Sequence, residues 1–209
     1  MLRRIVFPAV VMLILAVASP SQEPEEMMTQ VRIKYKEVTD FRADFTQIYC
    51  DAAAGTCTKF EGRMDVKRPN LLKLEVKKPE AQNIVCDGQT LWVHLVKDKQ
   101  VVKMDLDRSN NYLVWLSPLT RLLSAKVKNG CPTNGEYQIW LDMPELADIF
   151  KEVKILVSRQ NYLLVGLDIT DVNGNTAEYH FSGIKLNPKF KADYFTFILP
   201  KGVNLITSE

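Results

Sequence analysis

The sequence predicts a mainly β protein: an antiparallel β-barrel or strongly curved sheet whose short helices lie over its open mouth or concave face. Three observations lead there. About ten segments alternate apolar and polar residues, the links between them carry turn chemistry, and only two segments have helical periodicity. Alternation gives each strand one apolar and one polar face. The chain has no rhythm of strand followed by long helix, which argues against a parallel α/β sheet.

At the N-terminus, Arg3 and Arg4 precede an apolar run, Ile5 to Ala18, that ends in Ala16-Val17-Ala18. This is the three-part pattern of a signal peptide, so residues 1–18 are read as that peptide and 19–209 as one domain. The run contains Pro8 and falls short of the ~20 residues a membrane-spanning helix needs. No cysteine lies near the predicted cleavage site, so the exported chain is expected to be soluble and free of a lipid anchor. Losing Arg3 and Arg4 takes the formal charge from +2 to zero, and the remaining cations are scattered among acids. Nucleic acid is therefore not an expected partner.

From about Glu25 to Val38, the residues Met28, Val31, Tyr35 and Val38 recur at helical spacing and predict an amphipathic first helix. The period then changes to two. Phe41, Ala43, Phe45, Gln47 and Tyr49 share one face, followed by Phe60, Gly62, Met64 and Val66, and by Leu72, Leu74 and Val76. Leu91, Val93 and Leu95, and then Val102, Met104 and Leu106, continue the pattern. It resumes in Tyr137, Ile139 and Leu141, in Val153, Ile155 and Val157, and in Leu163, Val165, Leu167 and Ile169. Tyr179, Phe181 and Gly183, and finally Phe195, Phe197 and Leu199, complete it. Asp87-Gly88 and Lys97-Asp98-Lys99 are turn sequences, and Asn173-Gly174-Asn175 is a strong hairpin signal between two alternating runs.

One segment breaks the alternation. Leu113 to Ser124 is rich in Leu, contains Trp115 and has Pro118 inside it. Leu116, Leu119 and Leu123 share a helical face, which predicts a short, Pro-interrupted apolar helix or pair of turns. Two amphipathic helices beside a single sheet have one obvious place, the concave face or open mouth of that sheet. Leu113, Trp115, Leu116, Leu119 and Leu123 are accordingly assigned to a lid. Phe45, Met64, Val66, Leu72, Leu74, Val93, Met104, Ile139 and Leu141 are assigned to the cavity beneath it.

Catalytic constellations are not expected. Hydrolysis by a nucleophile needs a base and an orienting group, yet the chain holds only His94 and His180, both on the polar parity of their strands. The sequence contains no GxSxG elbow, Gly-rich phosphate loop or HExxH. The acids share the polar parity with lysines, so the chain is read as a non-enzyme with no cofactor. All four cysteines, Cys50, Cys57, Cys86 and Cys131, lie in the part expected to be exported, where disulfides can persist. Cys50 and Cys57 flank a turn-rich stretch and can bridge, although four cysteines allow three connectivities. The chain lacks the CxxC pairs of structural zinc sites, and no metal is expected. Cys86, in Ile84-Val85-Cys86, reads as a small buried hydrophobe.

Arg68 stands apart because it continues the parity of Phe60, Gly62, Met64 and Val66, placing a guanidinium at the end of an apolar face just before Pro69. An inward arginine needs acceptors. It either donates to carbonyls of the covering helix as a latch or reaches water or a carboxylate at the strand end.

Several ordered stretches together resemble the LolA-type lipoprotein carrier family. They are Phe41 to Gln47, Glu61-Gly62, Lys67 to Leu72, Asp87 to Trp92, Lys99 to Val101, Asp171 to Asn175 with Tyr179 to Phe181, and Phe195 to Val203. The resemblance implies an incomplete barrel covered by helices, and it implies that Arg68 is the lid latch. It further implies a periplasmic, monomeric carrier of lipoprotein acyl chains. Its partners would be an inner-membrane ABC-type release complex and an outer-membrane lipoprotein receptor. Leu72 and Trp92 occupy motif positions, although the family often has an aromatic residue where Leu72 stands; the cysteines are outside the pattern. The alternatives are a periplasmic lipid-binding sensor and a carrier of lipids other than lipoproteins.

Overall fold

Alternating segments pair into one sheet of twelve strands in the computed structural model, which describes residues 23–105 and 118–207. The predicted signal peptide and the predicted lid residues Leu113, Trp115 and Leu116 lie outside the described residues. The first six strands are β1 (Asp40–Asp51), β2 (Thr56–Lys67), β3 (Leu71–Lys78), β4 (Gln82–Asp87), β5 (Thr90–Leu95) and β6 (Gln100–Asp105). The second six are β7 (Lys126–Pro132), β8 (Glu136–Asp142), β9 (Phe150–Ser158), β10 (Leu164–Asp171), β11 (Thr176–Leu186) and β12 (Asn204–Thr207). Helix α1 spans Glu23–Tyr35, and helix α2 spans Pro118–Ser124.

Strand order is β12-β6-β5-β4-β3-β2-β1-β11-β10-β9-β8-β7. Every pairing is antiparallel except that of β12 with β6. β12 and β7 are the two ends of this order, so the barrel is open. The two halves meet where β1 pairs with β11, Phe41 opposite Leu186 and Phe45 opposite Phe181. Most other links are hairpins. Gly174, at φ 87°, turns the chain from β10 to β11 while Asp171 accepts from the Asn173 and Asn175 amides at 2.9 Å each. Cys50 and Cys57 face each other across the β1–β2 ladder and are joined by a disulfide.

The concave face is apolar. Phe41, Ala43 and Phe45 of β1, Met64 and Val66 of β2, Leu72 of β3 and Ile139 and Leu141 of β8 are all buried there. Helix α1 covers the β7–β8 end of this face through Met28, Val31 and Tyr35, the stripe that its periodicity marks. Val38 is buried too but lies beyond the helix end. The helix sits close to the sheet because β7 offers Gly130: a Cβ there would meet Pro24 Cβ at 2.9 Å and Gln138 O at 2.8 Å. The described part of α2 starts at Pro118, and the residues before it in the predicted Pro-interrupted segment lie outside the described ones. Leu122 is its buried contact with the core and Leu123 is half-buried.

The chain beyond β11 departs from expectation. Phe195, Phe197 and Leu199 are not a strand: Ala192–Phe195 is a 3-10 turn, and only Asn204–Thr207 pairs. Asn187 and Lys189 adopt φ of 54° and 60°, and Pro188 between them has no ladder donor, so extension stops there. The segment crosses the convex face instead. Phe195 is buried, as are Val85 and Val101 on the polar parity of β4 and β6, and Phe197 stacks on Trp92 with centroids 5.0 Å apart. His94, expected to face solvent, is half-buried with Phe197 at its edge, whereas His180 is exposed as predicted. The strap is pinned by Arg42, which donates to both Asp65 oxygens at 2.6 and 2.8 Å and to the Tyr194 hydroxyl at 2.9 Å. Tyr194 in turn donates to Asp65 at 2.5 Å.

Tyr35 ties α1 to the start of β10, its hydroxyl oxygen accepting the Leu164 N–H at 3.0 Å. Burial pushes its pKa from 10.0 to about 12. The folded value exceeds the unfolded one, so this contribution is complete below pH 10 and is lost as pH rises toward 12. Tyr35→Phe leaves the Leu164 amide without its acceptor. It is expected to lower stability by roughly 1–3 kcal/mol at pH 7 and to flatten the loss between pH 10 and 12, as read by urea unfolding at stepped pH.

Candidate functional site

Helices α1 and α2 cover the β7–β10 side, and the concave face of β1–β5 retains an apolar cavity of about 330 Å³. The ladders build its floor in rows. Met64, Leu74, Ile84 and Val93 stand side by side across β2, β3, β4 and β5, and Leu72 and Leu91 lie one row along. Tyr179 and Phe181 of β11 and Leu167 of β10 form the other wall. Gly62 is required at the centre of this floor. A Cβ there would stand 2.2 Å from Glu75 O and 2.9 Å from the Phe45 ring, so a larger residue would push β3 or Phe45 aside. Gln47 and Gln82, toward the β1–β2 and β3–β4 hairpins, are the polar, uncharged exceptions in the lining. Gln47 bonds to the buried Tyr179 hydroxyl, whose pKa burial raises. Such a surface can shelter a hydrocarbon chain, and among the described residues no charged side chain lines it.

Four of the nine predicted cavity residues, Met64, Leu72, Leu74 and Val93, come together here. Phe45 and Val66 are packed in the adjoining core, and Met104, opposite Leu91, is half-buried against it. Ile139 and Leu141 belong to the filled half near α1, where packing leaves little space. Parity identified the correct face, but the helices' position decided which part of it stays open. Ile84 was missed because Ile84-Val85-Cys86 reads as a continuous apolar run; in the sheet Ile84 and Cys86 face inward while Val85 lies under the strap. Cys86 is buried, its thiol donating to Asn70 O at 3.1 Å and its pKa raised by burial, and Cys131 is a free, exposed thiol.

Arg68 sits where parity places it. Its N–H donates to Thr39 O at 2.9 Å, fixing the residue at the end of β2. Its side chain faces a second cavity, of about 240 Å³, shared with Arg32, Tyr35 and Lys36 of α1 and with Leu123 and Ser124 of α2. Among the described residues, the buried Nε has no hydrogen-bond partner. Carbonyls at the end of α2 are instead held by Arg32, whose Nε and Nη2 donate to Leu123 O at 3.0 Å and Ala125 O at 2.8 Å. Sequence reading passed over Arg32, because a cation in the last turn of an amphipathic helix ordinarily faces water. Leu119 is helical in backbone, and its side chain is not among those described.

The family model described as "Outer membrane lipoprotein carrier protein LolA" matches residues 36–198, most of the chain and all of the cavity. The chain belongs to the LolA family. Among its relatives, an outer-membrane lipoprotein carrier protein of Albidiferax ferrireducens is 30% identical, with 86% of this chain and 90% of the relative covered. One of Pseudomonas entomophila is 28% identical, with 86% of each covered. The fold is similar to that of an uncharacterized conserved protein from Thermus thermophilus. That similarity has a TM-score of 0.54 at 13% identity, covering 90% of this chain and all of that one.

A LolA-type cavity of this construction separates lining from support. Ile84→Trp, which fills the space from its floor, is expected to weaken binding of a fluorescent fatty acid at least about tenfold while changing stability by less than ~1.5 kcal/mol. Phe45→Ala, in the packed core, is expected to lower stability by about 3–5 kcal/mol, which urea melts would show.

Proposed function

We propose that this protein is a periplasmic carrier that takes lipoproteins released from the inner membrane by an ABC-type complex, hides their acyl chains, and delivers them to an outer-membrane receptor. The observation that carries this reading is the open apolar cavity on the concave face, lined by no charged side chain among the described residues, in a member of a lipoprotein carrier family. Each methylene removed from water is worth ~0.8 kcal/mol, so even one long acyl chain does not travel free in solution. An open sheet leaves a route by which a receptor with a better apolar surface can withdraw the chain.

The test is reconstitution. Proteoliposomes bearing the release complex and a labelled lipoprotein are incubated with the purified protein and then with outer-membrane vesicles. A soluble one-to-one complex that empties into the vesicles is the expected result, and Ile84→Trp should reduce both steps roughly in parallel. Lipoprotein remaining in the donor membrane at saturating protein would overturn the reading.

A further inference from the structure

We propose that the corner of the molecule where the strap joins β12 is a docking surface for an anionic lipid bilayer. Apolar side chains exposed singly are ordinary on a protein surface, whereas a cluster of them marks a contact site. Of the eight large apolar side chains exposed among the described residues, five lie at this corner: Val96 in the β5–β6 turn, Ile198 and Leu199 at the end of the strap, and Leu205 and Ile206 of β12. Backbone bonds hold these pieces together. Val96 O accepts the Lys99 N–H at 3.3 Å, Lys99 O accepts the Asn204 N–H at 2.8 Å, and Leu205 and Ile206 stand opposite Val101 and Val102 of β6. Ile198 is 82% exposed and follows directly on Phe197, which its stack on Trp92 fixes in place. The strap therefore carries its most apolar tip outward on a packed support.

Charge decides what this corner meets. Lys97, Lys99 and Lys201 stand among the apolar side chains, and Lys59, Lys77 and Lys78 lie at the same end of β2 and β3. The acids there are Glu80, which pairs with Lys97, Asp98, and Glu61, which is shared by Lys59 and Lys78. Cations are in excess. The core of a protein–protein interface is depleted of lysine, whereas apolar side chains ringed by lysines fit the boundary of an anionic bilayer. Hydrocarbon takes Ile198 and Leu199, and lipid phosphates take the ammonium groups. The corner also borders the cavity: the Val96 N–H donates to Ala81 O at 3.3 Å, and the next residue, Gln82, lines the apolar space. A molecule resting here on a bilayer brings the Gln47 and Gln82 end of its cavity to the level of the headgroups. This goes beyond the carrier reading and does not depend on it.

The experiment mixes the purified protein, free of cargo, with vesicles of phosphatidylglycerol and phosphatidylcholine, or of phosphatidylcholine alone, and measures the bound fraction by flotation. Binding to the mixed vesicles is expected, at least about tenfold weaker on phosphatidylcholine alone and falling as salt is added. Ile198→Asp should weaken it roughly tenfold or more, and Lys99→Gln combined with Lys201→Gln by a similar factor. All three side chains are exposed, so the circular dichroism of these variants should match that of the wild type. Val172→Asp, at an exposed apolar site next to Asp171 and away from the corner, should bind as the wild type does. Binding indifferent to phosphatidylglycerol, or undiminished in Ile198→Asp, overturns the proposal. So does a protein that ignores both kinds of vesicle and instead self-associates through this corner, as sedimentation of the wild type against Ile198→Asp would show. No cargo is present, so failed vesicle binding leaves the carrier reading standing, and failed lipoprotein transfer leaves the docking surface standing.

Discussion

A twelve-stranded sheet that is apolar along its concave side has more surface to cover than the two described helices, of thirteen and seven residues, can reach. Much of the molecule follows from that imbalance. The helices gather at the β7–β10 side, where Gly130 lets α1 lie close and Tyr35 reaches the Leu164 amide, and there the core is filled. Across β1–β5 the same kind of residue is covered by neither of these helices. The open region is therefore a property of cover and geometry more than of composition: Ile139 and Met64 are equally suited to a core, and only one borders the cavity.

The inner face that α1 and α2 leave bare is backed from outside. The strap between β11 and β12 does this, crossing the convex side and burying Phe195 where its 3-10 turn packs on β3 and β4. Its anchor is an ion pair. Asp65 is almost wholly buried, and the Arg42 guanidinium that pairs with it also lies 5.0 Å from the Phe190 ring centroid and bonds Tyr194. A buried pair adds little net stability over apolar packing, but it fixes geometry, because each donor satisfies a particular acceptor. Arg42 and Asp65 face each other on β1 and β2, so the strap is registered on the strands that floor the cavity. Its final residues pair with β6 and cover that edge; β7, the other edge, carries Lys126, Lys128 and Pro132, residues that discourage further strand addition.

Period-two alternation made most strands and their inward faces legible, because side-chain direction along a strand is a local property. Met64, Leu72, Leu74 and Val93 could be assigned to the cavity for that reason. Local pattern says nothing about which covered surface is full, so Ile139 and Leu141 were placed with them. Phe195 and Phe197 alternate like strand residues, yet their partners are Trp92 and the outer side of β3 and β4, far away in the chain. Arg68 was visible because it breaks an apolar parity. Arg32 was not, since its partners lie some ninety residues away and charged residues on a helix are ordinary.

The β1–β11 ladder also bears on how the chain folds. β1 emerges early in synthesis, but its partner on that side follows only after more than about a hundred further residues. Until then the Phe41 and Phe45 face has β2 on one side and an unpaired edge on the other, and contacts of such long sequence separation form slowly. The strap is later still, because Tyr194 must find Asp65 on a sheet already assembled. The nascent protein thus spends its slowest stage with an adhesive flank bared, and its need for protection before completion resembles that of the acyl chains it is proposed to shelter afterwards.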